Sequence, residues 1–238
     1  VELTLGGRDG TTMQYHAPAV VGAGGYRCPV ATSLVVDTYQ ETLVDPKHYC
    51  GGYREYWDGV KGCESNIGDI EIHFVDTIIP GYFWIFPVGE GRVNVGCGMV
   101  MHLMDKQSKK LKALQQDIIA NHPQFKDRFA DATMVRGSAR GWQLPFGSPR
   151  KKQKNQPRRM AMNGAWLVGD AASLIDPFSG EGVGNALLTG EIAARHIIEN
   201  RRPEEYQQEV WKTLGAELKN SYRMQALSRK SWLLNWFV

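Results

Sequence analysis

Alternation of apolar and polar positions dominates the first half of the chain, and helical periodicity appears later. Strand patterns at 1–5 and 11–16 flank a glycine-rich turn and predict a β-hairpin. A second hairpin is predicted from 82–87 and 92–99, joined by 88–91. In its second strand, apolar residues alternate with polar ones and glycines, as in a strand buried on one face.

The remaining segments complete an α/β pattern. Further strands are expected at 19–21, 32–39, 67–74, 136–144 and 165–168, whereas 49–59 is aromatic and irregular. Amphipathic or polar helical patterns predict helices at 106–121, at 185–200 and from 203 onward. This order predicts a sheet-rich domain together with part of a Rossmann-like nucleotide-binding domain.

Composition narrows the class of protein. The chain has 238 residues, 42% of them hydrophobic and 22% charged, which predicts a globular protein with a sizeable core. The net charge of +3 is too small to indicate a nucleic-acid partner. The four cysteines, Cys28, Cys50, Cys63 and Cys97, show neither CxxC spacing nor clustered histidines, so no metal site is expected. They are interpreted as reduced thiols of a cytoplasmic protein, and neither a membrane span nor a signal peptide is visible.

The most informative motif follows the apolar run 166–168, which reads as the end of a buried strand. Gly169 allows a tight turn, and Asp170 places a carboxylate at the carboxyl end of the strand, where open α/β sheets bind ligands. Three glycines at alternate positions let a ligand approach the backbone: Gly180, Gly182 and Gly184. The N–H groups of the next helix start favour an anion or a polarised carbonyl. This arrangement suits a ribityl-bearing flavin nucleotide; the alternative is an ordinary strand–loop–helix connection.

The whole pattern, G-D-A-A-x4-P-x2-G-x-G-x-G-N, resembles the second FAD motif of the flavoprotein hydroxylase and geranylgeranyl reductase superfamily. Residues 19–29 are similar to the V-V-G-A-D-G-x-x-S segment of that superfamily, but Gly24 replaces its Asp and Cys28 its Ser. Cys28 is either an inert small residue or a redox-active thiol. The resemblance implies FAD-binding roles for Gly22, Gly25, Gly169, Asp170, Ala171, Pro177, Gly180, Gly182, Gly184 and Asn185.

A second motif concerns the predicted hairpin, in which Tyr82, Trp84 and Phe86 share one strand face. A lone aromatic stripe is often sheet core. The run 80–87 is followed, after eight residues, by Gly96-Cys97-Gly98, and it looks like the Y-x-W-x-F-P…G-x-G motif of geranylgeranyl reductases. The resemblance implies a substrate domain whose Tyr82, Trp84 and Phe86 line a cavity for an isoprenoid chain. Gly96 and Gly98 would leave room for that chain.

The resemblance implies FAD-dependent reduction of carbon–carbon double bonds in an isoprenoid or prenylated lipid. The reductant would be NADPH or a ferredoxin-type donor. No catalytic residue is identified, although Tyr82 is one candidate proton donor. Two alternatives remain, namely a flavin-dependent monooxygenase or halogenase of the same superfamily, and a non-catalytic lipid-binding module.

The resemblance also suggests a domain plan. We expect the end of an FAD-binding domain at 1–31, a substrate-binding sheet domain at 32–145, an FAD-binding segment at 146–200 and a helical region at 201–238. Both ends of the chain look cut, and the N-terminal G-x-G-x-x-G unit of the family is missing. The expected object is a C-terminal portion that is inactive by itself and holds FAD poorly.

One charge run stands apart from these motifs. Residues 150–159 contain six Lys or Arg residues and no acid. Such a run is usually a solvated loop. The functional alternative is an anionic partner, such as an acidic lipid surface, a prenyl diphosphate or an acidic electron donor. Nucleic acid is disfavoured because no aromatic residues are interleaved.

Overall fold

The computed structural model describes residues 1–7, 9–64, 68–150, 158–162 and 164–229. The strands are β1 (Glu2–Gly6), β2 (Thr12–His16), β3 (Val20–Gly22), β4 (Tyr49–Asp58), β5 (Glu71–His73), β6 (Tyr82–Gly89), β7 (Arg92–Val100), β8 (Thr133–Met134), β9 (Arg140–Pro145), β10 (Ala161–Met162) and β11 (Ala165–Leu167). The helices are α1 (Pro29–Thr32), α2 (Met101–Lys106), α3 (Leu111–Asn121), α4 (Val183–Ile198) and α5 (Pro203–Leu227). Short 3₁₀ turns cover Gly25–Arg27, Pro46–His48 and Gly169–Ala172, and a π-helical turn covers Ser33–Thr38.

The chain divides into two compact units. Unit 1 contains Val1–Asp45 and Pro145–Tyr222, whereas unit 2 contains Pro46–Leu144 and the chain from Arg223 onward. The mixture of helices and sheets confirms the α/β prediction. Residues 32–45, expected in the sheet domain, lie in unit 1.

Unit 1 carries a small sheet in the order β10-β11-β3. Strand β11 runs parallel to β3, with Ala165 opposite Val20 and Leu167 opposite Gly22. Parallel strands have to be covered on their faces, and the core of this unit includes residues of β11, α1, α4 and α5. The predicted hairpin at the start of the chain is confirmed, because β1 and β2 pair from Glu2 opposite His16 to Gly6 opposite Thr12.

The strand predicted at 32–39 is wrong. Residues Pro29–Thr32 and Ser33–Thr38 form consecutive helical turns. Leu34 and Val35 are buried in the unit 1 core, so tertiary burial overrides the β preference of the β-branched residues in this segment.

Unit 2 is built on an antiparallel sheet in the order β5-β6-β7-β4-β8, with β9 also paired to β4. The predicted second hairpin is confirmed by the pairing of β6 with β7. One face of these strands is core, with Phe83, Ile85, Val93, Val95 and Cys97 fully buried. The opposite face carries the aromatic residues Tyr82, Trp84 and Phe86, all half-buried.

The irregular segment predicted at 49–59 is also wrong, because Tyr49–Asp58 is a strand ten residues long. Its pattern was hidden by Glu55, an acid that is only 3% exposed on the inward face. The carboxylate accepts hydrogen bonds from Tyr53 Oη (2.7 Å), Trp57 Nε1 (3.2 Å) and Gln115 Nε2 (3.1 Å). These three donors replace the hydrogen bonds to water that the side chain loses on burial.

Within the described part of the chain, no helix is both long enough and apolar enough to cross a membrane. The four cysteines are free thiols, with Cys28, Cys63 and Cys97 buried and Cys50 half-buried.

Candidate functional site

The turn after β11 is fixed by helix α4. Gly169 adopts a φ of +54°, and a β-carbon added to it would lie 2.8 Å from the Ala186 β-carbon. Only glycine therefore fits there without strain. The Gly169 N–H donates to the Thr189 hydroxyl at 3.0 Å, and that hydroxyl donates to the Asn185 carbonyl at 2.7 Å. Thr189 was not a predicted site residue, because one buried Thr on a helix gives no sequence signal.

Asp170 follows this turn, and its carboxylate is half-buried. Burial raises the pKa of the carboxyl group above its usual value. Among the described residues, none donates a hydrogen bond to this carboxylate. The acid is thus partly desolvated, with its acceptor capacity unused, and this leaves it able to accept from hydroxyl groups of a ligand.

The loop between Asp170 and α4 is shaped by Asp176. Its Oδ1 accepts hydrogen bonds from the Phe178 N–H (3.0 Å), the Ser179 N–H (2.8 Å) and the Ser221 hydroxyl (2.6 Å). Its backbone carbonyl accepts from the Gly180 N–H at 3.0 Å, and Gly180 has a φ of +75°. Asp176 was not a predicted site residue, although an Asp that precedes Pro is a known turn signal.

The helix start of α4 is partly used by the chain itself. The Gly184 N–H donates to Glu181 Oε1 at 2.9 Å. This N–H group was expected to be available to a ligand, but the chain's own glutamate occupies it. The Asn185 side-chain amide donates to the Leu174 carbonyl at 2.7 Å and joins the loop to the helix. Glu181 was missed, although an acidic residue at a helix start is favoured by the helix dipole.

The segment that begins at β3 lies beside the same turn. The Val168 N–H donates to the Gly22 carbonyl at 3.1 Å, and the 3₁₀ turns Gly25–Arg27 and Gly169–Ala172 contact each other. A β-carbon on Gly22 would lie 2.6 Å from Leu167 Cδ2, whereas one on Gly25 would meet nothing within 4 Å. Gly22 is therefore needed for strand packing, and Gly25 leaves open space.

Three further predicted positions are buried or close to the loop. Ala171 is 2% exposed and belongs to the unit 1 core. Pro177 is buried within the loop. Cys28, at the position of the expected Ser, is 2% exposed, and its Sγ lies 3.4 Å from where a Gly24 β-carbon would be. An Asp at position 24 would therefore be crowded by Cys28, so the two departures from the superfamily segment lie in contact.

In unit 2, the predicted aromatic face exists and is continuous. The Trp84 ring centroid lies 5.9 Å from Tyr82, at an interplanar angle of 62°. It lies 5.9 Å from Phe86, at 25°. Gly96 is directly opposite Trp84 and Gly98 directly opposite Tyr82, so all five predicted substrate residues share one sheet face.

The expectation that Gly96 leaves an open groove needs correction. A β-carbon on Gly96 would lie 2.5 Å from Trp84 Cε2 and 2.6 Å from the Tyr53 carbonyl oxygen. The indole lies over this glycine, so the missing side chain makes room for the tryptophan and not directly for a ligand. The indole N–H donates to Asn94 Oδ1 at 3.0 Å. Asn94 was missed because it lies in the unspecified spacer of the motif.

Gly98 has a different neighbour. A β-carbon there would lie 3.3 Å from Cys50 Sγ and 3.9 Å from Trp84 Cζ3. Burial raises the pKa of the Cys50 thiol to about 12, so it stays neutral beside the aromatic face.

The basic run at 150–159 is described at only three positions, and 151–157 lie outside the described residues. Arg150 and Arg158 are 7% and 2% exposed, which contradicts a fully solvated run at these positions. Arg158 donates to the Thr42 carbonyl at 3.1 Å and to the Leu43 carbonyl. Arg159 pairs with Glu41 at 3.2 Å and lies over the Tyr39 ring.

Across the described ranges, no cluster of three His, Cys, Asp or Glu side chains could hold a metal ion.

Comparison with known proteins identifies relatives. The family model described as "Geranylgeranyl reductase catalytic domain" matches residues 53–137. The chain is 30% identical over 161 residues to a digeranylgeranylglycerophospholipid reductase of Thermoplasma acidophilum, covering 67% of this chain and 37% of the relative. A protein of the same name from Methanococcus aeolicus is 31% identical over 226 residues, with coverage of 90% and 52%. The chain thus spans about half of these relatives or less.

Solved structures show the same fold. A geranylgeranyl bacteriochlorophyll reductase-like protein from Thermoplasma acidophilum superposes with a TM-score of 0.68 at 21% identity, covering 93% of this chain and 52% of that one. The myxobacterial chondrochloren halogenase CndH, a FAD-dependent halogenase, also gives a TM-score of 0.68, at 19% identity, with coverage of 96% and 51%. At this identity the likeness establishes the fold alone.

Proposed function

Because the chain belongs to the geranylgeranyl reductase family through residues 53–137, we propose that it forms part of an FAD-dependent oxidoreductase. Its substrate is an isoprenoid chain, in which it reduces carbon–carbon double bonds. The observation that carries the proposal is the family match over the segment that contains the Trp84–Gly96 face. The digeranylgeranyl lipid named for the curated relatives supports this substrate class.

The FAD site is proposed for unit 1, where the residues fit the chemistry of a ribityl chain. The Asp170 carboxylate is partly desolvated and accepts no hydrogen bond from the described residues, so ribityl hydroxyls would supply the missing donors. Gly182 keeps the space beside this carboxylate clear, because a β-carbon there would lie 3.1 Å from Asp170 Oδ1. Gly25 leaves open space on the neighbouring turn.

When bound, FAD would supply the hydride for the double bond. The chain's own residues would bind the cofactor and orient it. Thr189 fixes the turn that presents Asp170, and Asp176 fixes the loop that carries Gly180 and Gly182. The N–H groups at the start of α4 that Glu181 does not use would favour negative charge nearby.

The isoprenoid site is proposed for the aromatic face of unit 2. Tyr82, Trp84 and Phe86 present half-buried rings, which suit a long apolar chain with few polar groups. Asn94 accepts the indole N–H of Trp84, so this polar group has its hydrogen bond without a ligand.

The test is an anaerobic reduction assay. Geranylgeranylglycerol lipids are incubated with the complete oxidoreductase that contains this chain, together with FAD and dithionite, and products are analysed by mass spectrometry. We expect products that gain two hydrogens per double bond, and a loss of this activity in Trp84→Ala. Absence of any saturated product, with FAD shown to be bound, would contradict the proposed function.

The same experiment separates the rival reaction class. The second candidate is an oxygen-dependent reaction of a flavin-dependent monooxygenase or halogenase, the alternative that the sequence motifs leave open. A halogenase or monooxygenase requires oxygen and leaves isoprenoid double bonds intact under anaerobic conditions. Comparing products with and without oxygen and chloride therefore distinguishes the two. For the natural reductant we propose NADPH or a ferredoxin-type donor, to be distinguished by supplying each in place of dithionite.

We also propose an anionic partner for 150–159, with an acidic lipid surface favoured by the lipid substrate. Flotation with anionic vesicles, compared with neutral vesicles, tests this part separately.

A further inference from the structure

The Trp84 indole is held in one orientation by its neighbours on β6 and β7. Tyr82 and Phe86 flank it on its own strand, with both ring centroids 5.9 Å away. Its N–H donates to Asn94 Oδ1 at 3.0 Å across the strand pair. The rotation of the ring is therefore limited by contacts on its strand and by a polar contact on the next.

The register of the sheet explains this geometry. Trp84 is directly opposite Gly96, and Asn94 is directly opposite Phe86. The indole crosses to β7, because a β-carbon on Gly96 would lie 2.5 Å from Trp84 Cε2. Gly96 thus admits the ring onto the strand backbone, and Asn94 accepts its N–H two residues away. Both conditions are needed, because a half-buried indole N–H without an acceptor loses the hydrogen bond that it makes in water.

The other side of Trp84 is apolar and accessible. Ile72 of β5 is directly opposite Trp84 on the neighbouring strand and is 49% exposed. The aromatic face therefore continues as an apolar surface toward the edge of the sheet.

We propose that Asn94 is a positioning residue for the isoprenoid substrate. It holds the Trp84 indole flat over Gly96 before the ligand arrives, so that binding does not have to order the ring. This inference rests on the proposed function, since it assigns Asn94 to the same wall. In this proposal Asn94 acts through Trp84 and does not itself contact the isoprenoid substrate.

Two substitutions separate an acceptor from a spacer. Asn94→Leu keeps the approximate shape and removes the acceptor, whereas Asn94→Asp keeps an oxygen acceptor for the indole. Trp84→Phe keeps an aromatic ring and removes the N–H. The double variant Trp84→Phe/Asn94→Leu completes a double-mutant cycle. If Asn94 acts through the indole N–H, Asn94→Leu should have no further effect once Trp84 has been replaced by Phe.

The first measurement is the ¹H–¹⁵N spectrum of the indole groups in the full chain, in which the Trp84 signal is the one lost in Trp84→Phe. We expect Asn94→Leu to shift this signal and to speed its exchange with water about tenfold, because the hydrogen bond is lost. Asn94→Asp should retain slow exchange. An unchanged Trp84 signal in Asn94→Leu would overturn the proposal.

The second measurement is the KM and kcat for reduction of geranylgeranylglycerol lipid by the complete oxidoreductase that contains this chain. Asn94→Leu should raise the KM about fivefold, the effect of one net hydrogen bond, with kcat nearly unchanged. Asn94→Asp should restore the KM, and Asn94→Leu should have no further effect in the Trp84→Phe background. A wild-type KM in Asn94→Leu would overturn the proposed role of Asn94 and leave the proposed function of the protein intact. No reduction by the unmodified protein would overturn the proposed function and, with it, the role of Asn94 in substrate binding.

Discussion

The carboxylate of Asp170 faces Gly182 so closely that a β-carbon on Gly182 would lie 3.1 Å from Asp170 Oδ1. The same β-carbon would lie 3.0 Å from Ile175 Cγ1. The glycine therefore leaves space beside a carboxylate that accepts no hydrogen bond from the described residues. Both distances are tighter than ordinary carbon contacts, so even a methyl group forces a local shift.

The first prediction concerns this space. Gly182→Ala should weaken FAD binding about tenfold or more, because the added methyl group crowds the carboxylate and displaces a ligand hydroxyl hydrogen bond. FAD affinity is measured by calorimetric titration of the complete oxidoreductase that contains this chain. Gly190→Ala in α4 is the matched control, since a β-carbon there meets nothing within 4 Å. Equal affinities for the two variants would remove Asp170 and Gly182 from the FAD site.

The second prediction concerns the turn at Gly169. Gly169→Ala should lower the free energy of unfolding by about 2–3 kcal/mol, because a left-handed φ and a close contact with Ala186 both oppose a β-carbon. Gly190→Ala, within helix α4, should raise the free energy of unfolding by about 0.5–1 kcal/mol. Urea denaturation measures both. A stable Gly169→Ala protein would show that the turn relaxes easily.

The third prediction uses the raised pKa of Asp170. The folded state disfavours the charged form, so this carboxylate lowers stability as the pH rises through its unfolded and folded pKa values. At low pH, where both states are protonated, the penalty is absent. Asp170→Asn should therefore raise the melting temperature of the ligand-free protein at pH 7, with the gain vanishing in acid. A gain that is independent of pH would contradict this assignment.

The fourth prediction concerns an ion pair of unit 2. Arg128 donates to both oxygens of Glu71, at 2.7 and 2.8 Å, and this lowers the pKa of that carboxyl group. The stabilisation is present above the unfolded pKa of Glu71 and is lost as the pH falls through the lowered folded value. Arg128→Met should reduce the free energy of unfolding by about 1–3 kcal/mol at pH 7.

The control for this pair is Arg92→Met, which removes an exposed pair with Asp58 and should cost less. The difference between wild type and Arg128→Met should shrink in acid. If it stays constant down to low pH, packing of the arginine and not its charge is responsible.

The fifth prediction concerns Gly96, over which the Trp84 indole lies. Gly96→Ala should displace Trp84 and raise the KM for isoprenoid substrates about tenfold, because the ring cannot lie over a methyl group. Near-ultraviolet circular dichroism reports the ring orientation. Gly52→Ala on the adjacent strand is the control, since its nearest neighbour would be the Trp142 carbonyl oxygen at 3.9 Å. A Gly96→Ala protein with an unchanged aromatic spectrum would show that the indole is not seated on this glycine.

Local patterns along the chain were enough to predict several elements correctly. The hairpins β1–β2 and β6–β7 follow from alternation and turn residues, and helix α4 follows from its glycine-rich start and apolar period. The motif around Asp170 and the aromatic face at Tyr82–Phe86 were visible because each lies within one short stretch. Such patterns need only the alternation of side chains along one element.

Features that depend on a partner far along the chain became visible only in the folded protein. The helical turns at Pro29–Thr38 were missed because burial in the unit 1 core outweighs the β preference of their residues. Strand β4 was missed because its buried Glu55 breaks the apolar pattern, and one donor that accommodates this acid, Gln115, comes from α3. Thr189 reaches Gly169 over twenty residues, and Asn94 reaches Trp84 across a strand pair. These contacts exist only after the chain has folded, because hydrogen bonds of this kind depend on packing and register. The motifs are therefore properties of the sequence, whereas the residues that hold them in place are properties of the fold.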